Sequence, residues 1–239
     1  MTNAAVSART LFRDGRLAEA ITLLGAELRD NPTDVQRRTF LFELLAFAGE
    51  HERAEKQLDV LARGGQDAQM GGLLYRAALH AEGTRREKFS PFVEGAGSPP
   101  KPVSGTLNGR PFASLTDADP RIGARLEVYA AGGYLWIPFE HVASIRLEAP
   151  KRLRDTLWAP AIVRTGPGFR GIELGEVLLP ALTPLAAQHA DDQVRLGRVT
   201  EWEALPDGRE APVGQKLWLV DGEEFPILEL RELDVTPAA

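Results

Sequence analysis

The sequence predicts an α+β chain in two parts, N-terminal helical repeats followed by a mainly antiparallel β domain. Three observations carry this. Gly15, Gly49 and Gly83 recur at a spacing of 34. Of the 17 prolines, Pro32 alone falls within residues 1–90. Proline has no N–H and clashes inside a helix, so the first part is free to be helical and the rest mostly is not. All four tryptophans, Trp136, Trp158, Trp202 and Trp218, and the clearest tight-turn signals come after residue 90. The breaker run Gly95-Ala-Gly-Ser-Pro-Pro-Lys-Pro102 reads as a linker, dividing residues 1–94 from 103–239. Charge divides with it: 13 basic and 14 acidic side chains before residue 95, 15 and 20 after.

In the first part Leu11, Leu45 and Leu79 keep the same period, as do Ala20 with Ala54 and Leu24 with Leu58. A period of 34 is that of the tetratricopeptide repeat, a helix–turn–helix unit. Each glycine falls where the turn between paired helices belongs, and there it takes positive φ without steric cost. The stretch Leu11 to Pro32 follows the pattern through its closing proline, and Thr33 or Asp34 caps the next helix. Val35, Phe40, Leu41, Leu44, Leu45 and Ala48 form its apolar stripe. The following helix spans about Glu52 to Arg63 and stops at Gly64-Gly65. In the third repeat Lys88 replaces the expected alanine and Pro91 shortens the last helix, while Thr84 and Glu87 form a capping box. Two full repeats and a degenerate third are expected. In such a stack the first helix of each pair lines a concave groove. That places Arg9, Phe12, Arg13, Thr39, Glu43, Phe47, Leu73 and His80 near the inner face, as candidate partner contacts.

In the second part, Leu126–Ala130 and Tyr134–Ile137 flank Gly132-Gly133 as a hairpin. Lys216–Val220 and Glu223–Phe225 flank Asp221-Gly222, a pair favoured in two-residue turns. Leu196–Trp202, Ala161–Thr165 and Gly171–Leu174 read as strands, with short helical turns over Lys151–Leu157 and Leu185–His189. Repeated tight turns favour an antiparallel arrangement over alternating βαβ units.

Composition and motifs exclude much chemistry. A chain of 239 residues without cysteine has no disulfide scaffold, zinc ribbon, iron–sulfur site or thiol nucleophile. A net charge of −6 argues against nucleic acid as the main partner. No apolar run approaches a membrane span, and the N-terminus lacks a secretory leader pattern. A cytoplasmic protein is therefore expected. His51, His80, His141 and His189 have no metal-binding spacing, so no metal or cofactor is expected. Gly166-Pro-Gly168-Phe-Arg-Gly171 matches a dinucleotide fingerprint, but Pro167 has no N–H to offer a pyrophosphate and no helix pattern follows, so it reads as a turn. Asp117 and Asp119 are the best carboxylate pair. They fit a turn before Pro120, or, on an open surface, a hydrolase acid–base pair.

Five strings occur in order: Thr116-Asp-Ala-Asp119, Leu126-Glu-Val, Tyr134-Leu-Trp-Ile-Pro-Phe-Glu140, Arg154-Asp-Thr-Leu-Trp158 and Gly197-Arg-Val-Thr-Glu-Trp202. With the repeats, they resemble the ImpE/TagJ (SciE-type) family of bacterial type VI secretion accessory proteins over nearly the whole chain. One departure is Glu201, where the family pattern has aspartate. The resemblance implies a cytoplasmic, non-enzymatic adaptor. Its implied partners are the N-terminal helix of the small contractile-sheath subunit TssB and the ClpV ATPase that recycles the sheath. It brings no catalytic residues. The repeats alone equally suit a general scaffold or co-chaperone with another peptide client. Trp136, Trp158 and Trp202 are expected to fill the interior of the sheet.

Overall fold

The computed structural model describes residues 7–90, 101–166, 169 and 174–236. Helices α1 (Ala8–Arg13) and α2 (Leu17–Asp30) form one pair, and α3 (Val35–Phe47) and α4 (His51–Leu61) the next. The turns within the pairs fall at Gly15 and Gly49, at φ +76° and +69°. Positions one period apart are buried alike. Ala20 and Ala54 are both fully buried, and Leu24 and Leu58 are 2% and 3% exposed. Ser7 and Asp34 cap α1 and α3 by accepting from the N–H groups of Thr10 and Arg37.

The third glycine does not make a turn. Helix α5 (Gln66–Lys88) runs straight through Gly83, where an added methyl group would meet nothing within 4 Å. Thr84 donates its hydroxyl back to the His80 carbonyl at 3.3 Å instead of capping a new helix. A glycine in a helix interior costs only about 1 kcal/mol. Continuing the helix places the buried Arg85 against Glu127 of the sheet. Arg85, Arg86 and Lys88 sit in its last turn, where cations suit the helix dipole.

Among the described residues after α5 there are thirteen strands, all pairing antiparallel. They are β1 (Gly105–Leu107), β2 (Arg110–Phe112), β3 (Leu115–Asp117), β4 (Arg125–Ala130), β5 (Gly133–Pro138), β6 (Val142–Leu147), β7 (Trp158–Thr165), β8 (Gly175–Pro180), β9 (Glu201–Ala204), β10 (Glu210–Val213), β11 (Leu217–Val220), β12 (Glu223–Pro226) and β13 (Glu232–Val235). Eight form the main sheet in the order β2-β1-β13-β6-β7-β8-β4-β5, β12-β11-β3 form a second sheet, and β9 pairs with β10. Both expected hairpins form, and Asp221 and Gly222 take the positive φ values that the tight turn between β11 and β12 demands. The expected strand over Leu196–Trp202 begins only at Glu201. Its first residues instead close a short helix, α6 (Asp192–Arg195), with Gly197 at φ +64°. Short 3₁₀ turns occur at Leu153–Thr156 and Ala186–Gln188. Pro91, most of the expected linker, and residues 167, 168 and 170–173 of the glycine string and the strand expected after it lie outside the described residues.

The main sheet has a core on each side, although β7 leaves Pro160, Ile162 and Arg164 exposed on one face. Alternation along β4 sends Leu126 and Val128 into a core shared with Trp218, Leu230 and Leu233. Tyr129 joins the opposite core, where Trp158, Leu178 and Leu182 pack with Leu44, Phe47 and Leu79 of the helices. Trp158 stacks on Tyr75 at 6.0 Å and lies 6.3 Å from Phe42. Trp136 is half-buried beneath the Lys88 ammonium, 3.5 Å from its ring centroid. Trp202, expected inside, is 41% exposed on β9.

A buried ionic network crosses the same boundary. Arg85 donates to both carboxylate oxygens of Glu127 at 2.8 and 2.7 Å, to the Leu182 carbonyl at 3.0 Å and to Glu82 at 3.3 Å. Lys216 lies 2.7 Å from Glu127 and also binds Asp117. Tyr134 donates to Glu127 and Tyr129 to Glu82. Burial pushes the Glu127 carboxyl up, but Arg85 and Lys216 outweigh it and hold it below the ordinary range. Asp117 shares the Lys216 cation with Glu127, and burial outweighs that cation and pushes the Asp117 carboxyl up to about 7.

Candidate partner-binding cleft

Spacing along two helices places one face of each beside the other. Arg9, Phe12 and Arg13 of α1 and Val35, Gln36, Thr39, Phe40 and Glu43 of α3 line a cleft of about 690 Å³. These are i, i+3, i+4 sets, which share a helix face. The third wall is Arg152, Leu153 and Arg154, from the segment between β6 and β7. The Phe12 and Phe40 rings meet edge-to-face at 5.6 Å. The guanidinium of Arg9 lies 5.1 Å from the Phe40 centroid, and that of Arg198 lies 4.6 Å from that of Phe12. Arg198 also donates to the Phe12 and Arg13 carbonyls at 2.7 and 2.9 Å, at the end of α1 where carbonyls lack intrahelical partners, although Phe12 also accepts from the Gly15 N–H.

Arg154 closes the inner end. It donates to Glu43 at 2.6 Å and to the Tyr75 hydroxyl at 2.8 Å, with its guanidinium 4.9 Å from the Tyr75 ring centre. Burial raises the Glu43 carboxyl above its ordinary value, and Arg154 opposes that rise. The protein's own sheet domain therefore fills much of the concave face that the repeats present.

Five of the eight predicted contacts, Arg9, Phe12, Arg13, Thr39 and Glu43, line this one cleft. Phe47 does not. It is 1% exposed and belongs to the core, because α3 is enclosed by helices on one side and by the sheet on the other, and all of residues 40–47 are buried. The run Phe40–Phe47, apolar except for Glu43, is the signal for burial all round. Leu73, 58% exposed, stands on α5 with Met70 and Leu74, away from the cleft. His80 is exposed on α5. The repeat pattern could not supply Arg152, Leu153 and Arg154, which come from the other half of the chain. A second hollow of about 740 Å³ lies between α5 and the sheet, reaches Leu74, Tyr129 and Leu178, and shares Arg152 with the cleft.

Asp117 and Asp119 do not converge on an open surface. They are 3% and 0% exposed. Asp117 is engaged by Lys216, and Asp119 is bound by Arg121 at 2.7 Å. The two form a buried turn in which the Asp117 carboxylate accepts from the Asp119 N–H. Among the described residues no group of three His, Asp or Glu is placed to hold a metal, and no helix is long and apolar enough to cross a membrane.

This architecture is that of a tetratricopeptide-type stack sealed onto an antiparallel-sheet domain. Family models agree with both halves: tetratricopeptide repeat over residues 11–77 and ImpE protein over residues 109–234. The type VI secretion system accessory component TagJ of Pseudomonas aeruginosa is 35% identical over 267 aligned positions, covering 98% of this chain and 92% of TagJ. The chain belongs to the ImpE/TagJ family. The crystal structure of a Vibrio parahaemolyticus protein (VPA1032), 22% identical, shares the fold with a TM-score of 0.84, over 97% of this chain and 98% of that one.

Proposed function

We propose that this chain is a non-enzymatic adaptor of a bacterial type VI secretion system. It binds the N-terminal helix of the small sheath subunit TssB and assists recycling of the contracted sheath by the ClpV ATPase in the cytoplasm. The observation that carries the reading is the nearly end-to-end match to an accessory component of such a system. The geometry supports it. The cleft has an aromatic floor and a polar rim, which is how a groove receives the apolar stripe of an amphipathic helix. The most suggestive carboxylates, Asp117 and Asp119, are absorbed in the core.

The test is calorimetry of the full-length protein with a peptide of the TssB N-terminal helix, beside a pull-down from native lysate. Saturable binding and capture of sheath subunits are expected. Removing the Phe12 ring (Phe12→Ala) should weaken binding by about 1–3 kcal/mol, the cost of an aromatic anchor. Absence of peptide binding together with absence of sheath subunits from the pull-down would refute the reading.

A further inference from the structure

We infer that the cleft selects an acidic amphipathic helix, one whose apolar stripe is bordered by carboxylates. This rests on the adaptor reading and deepens it by naming the chemistry its partner presents. The chain as a whole is acidic, with net charge −6. Its cleft is the reverse: four arginines line it, Arg9, Arg13, Arg152 and Arg154, against one carboxylate, Glu43. That carboxylate is already taken by Arg154 at 2.6 Å.

Arg9, Arg13 and Arg152 have no carboxylate partner among the described residues. Elsewhere on the surface Arg16, Arg53 and Arg76 each have one and Arg37 has two. Arg198, behind the Phe12 ring, directs its donors to backbone carbonyls. The cations therefore stand around the cleft uncompensated, while the floor between them is Phe12 and Phe40 and the mouth carries Val35, 63% exposed. An apolar stripe seated on that floor would carry its flanking residues to the arginines. Carboxylates there gain charge-assisted bonds, and lysines there meet like charge, which rejects a cationic helix. A concavity walled by α1, α3 and residues 152–154 suits a rod rather than a flat bilayer.

The probes are two synthetic helical peptides with the same leucine stripe at i, i+3, i+4 and i+7. One carries glutamate and the other lysine on the flanking positions. The TssB peptide and phosphatidylglycerol vesicles are run beside them against the full-length protein. The glutamate peptide is expected to bind with an affinity that falls as salt is raised, since exposed charges are screened over roughly 10 Å at 0.1 M. The lysine peptide is expected not to bind. The double reversal Arg13→Glu/Arg152→Glu, both exposed positions, is expected to lower glutamate-peptide affinity at least tenfold with an unchanged melting temperature. Val35→Asp, at the mouth, should do the same without touching the cations. Equal binding of both peptides, or indifference to the double reversal, would overturn the inference. So would vesicle binding that the same reversal abolishes, which would make the cleft a membrane contact. If the TssB peptide binds but ignores the reversal, the adaptor role stands and this inference falls. If the glutamate peptide binds as expected and TssB does not, the cleft chemistry stands and the sheath reading falls.

Discussion

Replacing Arg85 by methionine should weaken the protein more than loss of a surface ion pair, and the structure sets the size. The Arg85 and Glu127 side chains are 1% and 0% exposed. Methionine keeps an unbranched stem in the space but removes both bonds to Glu127, the bond to the Leu182 carbonyl and the contact with Glu82. Glu127 is left with Lys216, which it shares with Asp117, and the Tyr134 hydroxyl. Breaking a buried pair from one side costs about 3–5 kcal/mol, because an uncompensated charge remains inside. For a chain of this length that corresponds to a fall of roughly 6–20 °C in melting temperature, at ~2–4 °C per kcal/mol. Urea unfolding followed by tryptophan fluorescence reads it directly, since Trp136 and Trp158 lie at the same boundary. Arg85→Met combined with Glu127→Gln should lose less than the sum of the two single variants, by ~0.5–3 kcal/mol, the usual coupling of residues in one network. A single variant within about 1 kcal/mol of the parent, or strict additivity, would refute the view that this network carries the junction.

Asp117→Asn should alter how stability depends on pH. Folding raises the Asp117 carboxyl from 3.8 to about 7, so between those values the folded state holds a proton that the unfolded state releases. Its contribution is therefore present at low pH and lost as pH rises through about 7, and the Asn variant should gain on the parent across that window. Melting curves at several pH values check this, and a parallel dependence in both proteins would contradict it. Gly49→Val should cost more than Gly65→Val: both glycines have positive φ, but a Cβ at Gly49 meets that of Ala187 at 3.0 Å, whereas nothing lies within 4 Å at Gly65. The strained backbone alone is worth ~1–3 kcal/mol, and equal melting temperatures for the two variants would contradict the ordering. Phe47→Ala should lower stability by ~3–5 kcal/mol as a core truncation, read by thermal melting, and an unchanged melting temperature would place the ring outside the core.

Much of the helical half was legible because a repeat states the same physics twice. Gly15 and Gly49 both take positive φ, and Ala20 and Ala54 are both fully buried. Gly83 misled because the spacing carries no information about Arg85, whose bond to Glu127 draws the helix onward. Strand positions followed from turn chemistry, as at Asp221-Gly222. The cleft was half legible. Helical spacing grouped Arg9, Phe12, Arg13, Thr39 and Glu43, while Arg154 comes from 111 residues beyond Glu43 and no local pattern links them. Facing was the weak point: Phe47 and Trp202 were each placed in the wrong environment, because periodicity does not say which second layer covers a face.

The network at the junction also bears on how the chain comes to be folded. During synthesis the helical repeats emerge first, with the Arg85 guanidinium aimed at a strand that does not yet exist. Glu127 follows 42 residues later, and Lys216 lies 99 residues beyond Asp117. Contacts so distant in sequence form late, since loop closure must precede them. Until the sheet forms, α5 lacks part of the cover it has in the folded chain, where Ala78, Leu79 and Ala81 share a core with Tyr129, Trp158, Leu178 and Leu182, and apolar faces of that kind associate wrongly in partly made chains. Lys216 and β11 arrive last and bring the cation that Asp117 and Glu127 share, so the buried charges of the sheet side are balanced only once the closing stretch of the polypeptide has been made.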